Sequence, residues 1–207
     1  SDYRRELDIS DATVKVSYKA GDTVVTREYF ASNPDKVIVI RVRSTQPISF
    51  RVELSSIHPT AKTAAIGPNE LVMKGQVPGL ALRRTLQWVE QRNEQWKYPE
   101  LWDKQGKRLA GADPVEYDGR GTYFEARCHS AGGLNVSGST DTTVLLSMAT
   151  SFNGFSKSPT KDGADPSKRT SADIGAASKK SFDALRGAHV KDYQRLFQRV
   201  SLDLGAV

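Results

Sequence analysis

Period-two alternation runs through residues 13–54 and commits this part of the chain to antiparallel strands. Val14, Val16 and Tyr18 alternate with Thr13, Lys15 and Ser17; Val24 and Val25 open a run ending at Tyr29 and Phe30; Ile48, Phe50, Val52 and Leu54 alternate with Ser49, Arg51 and Glu53. Ser10-Asp11, Ala20-Gly21-Asp22, Asn33-Pro34-Asp35 and Thr45-Gln46-Pro47 separate these runs with residues that impose or tolerate turns. Strands joined by such short turns predict a meander, so the fold class is mainly β: an antiparallel β-sandwich. Val37 to Val42 is more continuously apolar and predicts a central strand buried on both faces.

Downstream the pattern loosens. A short strand is expected from Glu70 to Gly75, further strands over Thr122 to Ser130, Gly133 to Val136 and Thr142 to Ser151, and an exposed loop over Asn153 to Asp165. Between Pro78 and Pro114 the periodicity is poor, the charges are many, and all three tryptophans occur; an irregular stretch of that length is usually functional or mobile. The period then becomes helical. Ile174, Ala177, Ser178, Phe182 and Leu185 predict a first helix, with Thr170 and Asp173 as a capping box and Gly187 as its stop. Val190, Tyr193, Leu196, Phe197 and Val200 predict a second, with one apolar stripe, followed by a strand-like Val200 to Leu204. The expected division is a β-domain over residues 1–165 and a helical connector over 166–207.

Composition narrows the function classes. No apolar stretch approaches the roughly 18 residues of a membrane span, so no membrane partner is expected. Thirty Lys and Arg against 24 Asp and Glu give a net charge of +6, which suits ordinary solubility. The basic residues between Lys157 and Lys180 are interleaved with Asp162, Asp165 and Asp173, so no nucleic-acid partner is expected. A lone Cys128 and the scattered His58, His129 and His189 give neither a redox pair nor metal-ligand spacing. No metal and no cofactor are expected. Nucleophile-elbow, phosphate-loop and dinucleotide motifs are missing.

Paired carboxylates could serve a glycosidase, and Glu90 with Glu94 or Glu100 with Asp103 are the pairs to consider; solvated loop charges are the plainer reading. Trp88, Trp96, Tyr98 and Trp102 carry more information. Flat aromatic faces stack on the C–H faces of sugars, so these four are the carbohydrate-contact candidates; the alternative is that the rings pin a long loop onto the sandwich. No catalytic residue is assigned.

The ordered motifs resemble the N-terminal domain of glycoside hydrolase family 95. They are Tyr3-Arg4-Arg5-Glu6-Leu7-Asp8, Thr26-Arg27-Glu28-Tyr29-Phe30-Ala31-Ser32, Val37-Ile38-Val39-Ile40-Arg41, Gly75-Gln76-Val77-Pro78, Thr122-Tyr123-Phe124-Glu125-Ala126-Arg127, Thr150-Ser151-Phe152-Asn153-Gly154-Phe155, and the closing Asp192-Tyr193-Gln194 with Leu196-Phe197. The resemblance implies a super-sandwich followed by a helical linker, in an inverting α-L-fucosidase or α-L-galactosidase whose (α/α)6 barrel supplies the catalytic groups. This chain is then expected to be an inactive accessory domain packing on the barrel and shaping its rim, with a glycan as the parent enzyme's substrate. A free-standing carbohydrate-binding module using Trp88 to Trp102 is the alternative. The start at Ser1-Asp2-Tyr3, without Met or leader, reads as a processed or excised piece, truncated at both ends relative to that family. An open sheet edge left this way invites self-association. Localisation, by resemblance alone, is secreted or periplasmic.

Overall fold

The computed structural model describes residues 1–202 and 205. Its strands are β1 (Arg4–Asp8), β2 (Thr13–Ala20), β3 (Thr23–Ser32), β4 (Val37–Arg51), β5 (Lys62–Ala65), β6 (Glu70–Gln76), β7 (Leu80–Ala81), β8 (Val115–Glu116), β9 (Tyr123–Ser130) and β10 (Asn135–Thr150). Helix α1 (Leu86–Gln91) lies between β7 and β8, and α2 (Pro166–Ala177) and α3 (Phe182–Phe197) close the chain. Eight strands form one sheet in the order β1-β2-β3-β4-β10-β9-β6-β5, and β7 pairs with β8 in a separate ribbon. Every pairing is antiparallel. The mainly-β antiparallel class read from the alternation is therefore the architecture, with the helices at its C-terminal end.

Two expected breaks are bridged. Thr45-Gln46-Pro47 is not a turn between strands but part of β4, and the segments expected at 133–136 and 142–151 are one strand, β10. The ladder explains both. Asp141 opposes Arg43 and Ser139 opposes Ile48, so four residues of β4 face one of β10 across a bulge. Pro47, with no N–H to donate, is tolerated in such a bulge. Nor is β4 buried evenly on both faces: Val37 and Val39 are buried, whereas Ile38 and Ile40 are half-buried.

The register places Phe30, Val39, Leu145 and Ser147 on one face together with Glu125 and Arg127 of β9. Helices α2 and α3 cover this face. Phe30, Val37, Val39 and Leu145 pack with Ile174, Ala177 and Leu185 in one core cluster, with Phe182 against it. Each of these side chains larger than Ala177 contributes roughly 1.5–3 kcal/mol of burial free energy.

The helix boundaries differ from the expected ones because cap signals outweigh glycine. Asp165 accepts the backbone N–H of Ser167 and Pro166 occupies the first turn, so α2 starts four residues before Thr170. Ser181 accepts the N–H of Ala184 and starts α3, which takes Phe182 and Leu185. Gly187 lies on the exposed side of α3 and does not end it. The buried residues of α3 are Leu185 and His189, while Leu196 and Phe197 of the expected stripe are exposed. Val200 to Leu202 is not strand, and Asp203 and Leu204 lie outside the described residues.

Polar clamps hold the two layers together. Arg186 of α3 reaches Asp11 at 2.6 Å and Glu28 at 2.9 Å, and Lys180 reaches Asp35 at 2.5 Å. His189 stacks on Phe30 at 4.9 Å with Nε2 2.9 Å from the carbonyl of Asp11. The Glu125 side chain is 0% exposed on the sheet side of α2. It accepts the hydroxyls of Ser167 and Thr170, lies 3.2 Å from Lys74, and is 3.0 Å from Arg127, which also pairs with Glu70.

Candidate functional site

The tryptophan segment was expected to be a long irregular stretch; it is a small folded lobe instead. Leu80 opposes Glu116 and Ala81 opposes Val115, so β7 and β8 bring its two ends together. Val77 donates its N–H to the Thr122 carbonyl at the junction with β9, and a Cβ on Gly121 would stand 1.8 Å from the Val77 carbonyl oxygen. Only glycine permits that approach.

Inside the lobe, Thr85 caps α1 by accepting the N–H of Trp88. Asn93, at φ 52°, turns the chain beyond the C-cap. Asp103 Oδ1 accepts the N–H groups of Gln105 and Lys107 and builds a turn, with Gly106 at φ 76°. The turn returns the chain so that Leu109 donates its N–H to the Leu101 carbonyl. Leu86, Val89, Leu101 and Trp102 form a second core, with Leu80, Leu82, Trp88, Tyr98 and Ala112 packed against it. The apolar spacing that would reveal this core is short in sequence and split by charges, so no window shows a period.

The four candidate rings therefore part company. Trp102 is 1% exposed and donates Nε1–H to Glu90 at 3.2 Å. Tyr98 tilts against it at 6.2 Å between ring centroids. Trp88 is half-buried, with the guanidinium carbons of Arg84 and Arg92 at 4.6 and 5.4 Å from its centroid. Trp96 alone is open, at 77% exposure. It lines a shallow hollow with Asn93, Gln95, Pro99 and the Asp103–Gly106 turn.

Three of the four carboxylate candidates have partners, and the fourth, Glu100, is exposed without an ion pair among the described residues. Glu90 binds Arg108 at 2.8 Å as well as Trp102, and these partners hold its carboxyl below the usual range: the Trp102 N–H lowers it most, burial opposes, and Arg108 adds to the lowering. Glu94 pairs with Lys97, and Asp103 is occupied by its turn. Their roles are structural. Burial, with Glu70 nearby, pushes the Cys128 thiol up to about 11, which keeps it protonated and non-nucleophilic. Among the described residues no group of His, Cys, Asp and Glu could hold a metal ion.

Sequence reasoning passed over the cluster of Glu125, Arg127, Glu70 and Lys74. The available signal was the charged alternation of residues 125 and 127 within an otherwise apolar strand. Alternation told which face they share, but not that a helix covers it.

Known proteins resemble this chain along nearly its whole length. The chain is 32% identical to "Alpha-L-fucosidase 2" of Arabidopsis thaliana, with 98% of this chain and 23% of that protein aligned. It is 27% identical to "Probable alpha-fucosidase A" of Aspergillus niger, again covering 98% of this chain and 23% of the relative. The chain thus spans about a quarter of the length of these relatives. Among solved structures, "Putative kojibiose phosphorylase from human microbiome" shares the fold with a TM-score of 0.52 and 12% identity, over 95% of this chain and 23% of that one. The fucosidase relatives match the resemblance to family 95 carried by the ordered motifs. The family model "Glycosyl hydrolase family 65, N-terminal domain" matches residues 1–154, and the chain belongs to that family.

Proposed function

We propose that this chain is the non-catalytic N-terminal accessory domain of an inverting α-L-fucosidase-like glycoside hydrolase, packing on a catalytic (α/α)6 barrel and shaping its rim. The observation that carries the reading is the alignment of nearly the whole chain with one quarter of an α-L-fucosidase. The lobe supports it, since Glu90, Glu94 and Asp103 are engaged in ion pairs and turns rather than poised as acid and base. A secreted or periplasmic location belongs to the same proposal.

The second reading, a free-standing carbohydrate-binding module, has one observation in its favour: the exposed Trp96 beside its hollow. The other three rings are turned to internal use, which favours the scaffold. Calorimetric titration with neutral fucosylated and galactosylated oligosaccharides separates the readings. No measurable heat is expected; saturable binding abolished by Trp96→Ala would establish the module instead.

Self-association through the outer strands β1 and β5 is a further part of the proposal. Arg4, Arg5 and Glu6 on β1 and Lys62 on β5 place charge on both edges and keep such pairing weak. Light scattering is expected to show mass rising with concentration. A constant monomer mass would remove this part.

A further inference from the structure

The arginines around α1 are placed differently from those that clamp the fold. Arg41, Arg127 and Arg186 each grip a carboxylate. Arg84 and Arg92, four residues before and after Trp88, stand over its ring instead, and Arg83, the residue before Arg84, is exposed. Among the described residues none of the three has a carboxylate partner.

A guanidinium resting on an aromatic face keeps its in-plane N–H donors free, and the ring restrains it before any ligand arrives. That fork matches a carboxylate, which it can bind through two parallel hydrogen bonds. Asn93, the residue after Arg92, lines the hollow that holds the open face of Trp96. An aromatic face and amide groups suit the C–H face and hydroxyls of a sugar.

We propose that Arg84 and Arg92 over Trp88, with the exposed Arg83 next to Arg84 in the chain, form a contact site for the carboxylate of an acidic sugar, a uronic acid unit within an oligosaccharide. This rests on the accessory-domain reading and gives that domain a substrate contact of its own. A nucleic acid is the competing polyanion, and the oligonucleotide arm of the test separates it from the acidic sugar.

The test is calorimetric titration of the protein at low ionic strength with an oligomer of galacturonic acid, the same oligomer as its methyl ester, and a single-stranded oligonucleotide of equal charge. Saturable binding is expected for the free acid and at least about tenfold weaker binding for the ester, since one charge-assisted hydrogen bond is worth that much or more. Arg84→Gln with Arg92→Gln is expected to weaken the free-acid binding by a similar factor. Arg83→Gln, which leaves the Trp88 stack intact, should also weaken it and covers the case where the double variant misfolds. Equal affinity for acid and ester, equal affinity for the oligonucleotide, unchanged affinity in the folded variants, or no binding at all would each overturn the proposal. The neutral-sugar titration and a hydrolysis assay judge the accessory-domain reading separately, so failure of one is distinguishable from failure of the other.

Discussion

Replacing Glu125 with Leu is expected to lower the unfolding free energy by about 3–5 kcal/mol, the scale for breaking one partner out of a buried charge cluster. The carboxylate is the point where β9 meets α2: it takes the hydroxyls of Ser167 and Thr170 from the helix and the charges of Lys74 and Arg127 from the sheet. Without it, Arg127 keeps Glu70 and a long hydrogen bond to Thr170 Oγ1, the Ser167 hydroxyl loses its acceptor, and the Thr170 hydroxyl is left with the Ser167 carbonyl at 3.3 Å. Urea unfolding followed by near-UV circular dichroism measures the loss. A change below about 1 kcal/mol would mean that the cluster does not hold the helix to the sheet.

The same cluster gives a pH dependence with a definite sign. Burial pushes the Glu125 carboxyl up, but Ser167, Thr170, Lys74 and Arg127 outweigh it and bring it down to about 2, against an ordinary value of 4.5. A carboxyl depressed on folding contributes stability that is complete above its unfolded value and is lost as pH falls through its folded value. This contribution should therefore be full above pH 4.5, decline from there towards about 2, and be absent below. Glu125→Gln, which cannot titrate, should flatten the stability profile across that window.

Replacing Trp102 with Ala is expected to cost about 3–5 kcal/mol, the range for truncating a large buried aromatic. The loss should be local. Trp102 belongs to the core of the lobe with Leu86, Val89 and Leu101, which is separate from the cluster of Phe30, Val39, Leu145 and Leu185 under the helices. Trypsin should therefore cut the variant faster at Arg83, Arg84, Lys104 and Lys107, while amide protection in β4, β9 and β10 persists. Loss of protection across the whole sheet would contradict two independent cores. Trp96→Ala, at an exposed position, should change stability by no more than about 0.5 kcal/mol.

The strands were legible in the sequence because period-two alternation marks extended chain. Val14, Val16 and Tyr18 lie in β2, half-buried beside a buried Thr13, and Ile48 and Phe50 lie in β4, which ends at Arg51 and leaves Val52 and Leu54 outside it. Chain breaks were less legible. Pro47 looked like a turn, yet a bulge absorbs it; Gly187 looked like a helix stop, yet Asp165 and Ser181 set the boundaries. In each case a tertiary pairing or a side-chain cap overrode the preference of one residue. The lobe was the least legible part, because Val89, Leu101 and Trp102 meet through a turn at Asp103 and no periodic window spans them. Its tryptophans were conspicuous, but sequence could not separate Trp102, buried on Glu90, from Trp96, open to solvent. Family motifs such as Tyr123-Phe124-Glu125-Ala126-Arg127 pointed to a relative; the structure gives Glu125 and Arg127 their role as the clamp beneath α2.

The central claim is that this chain supports a glycosidase without performing its chemistry. An assay of the purified 207-residue protein on an aryl α-L-fucoside tests it most directly. The account predicts no release of the aryl alcohol above the buffer rate at any protein concentration. Turnover that scales with concentration and disappears in Glu94→Gln or Glu100→Gln would contradict it.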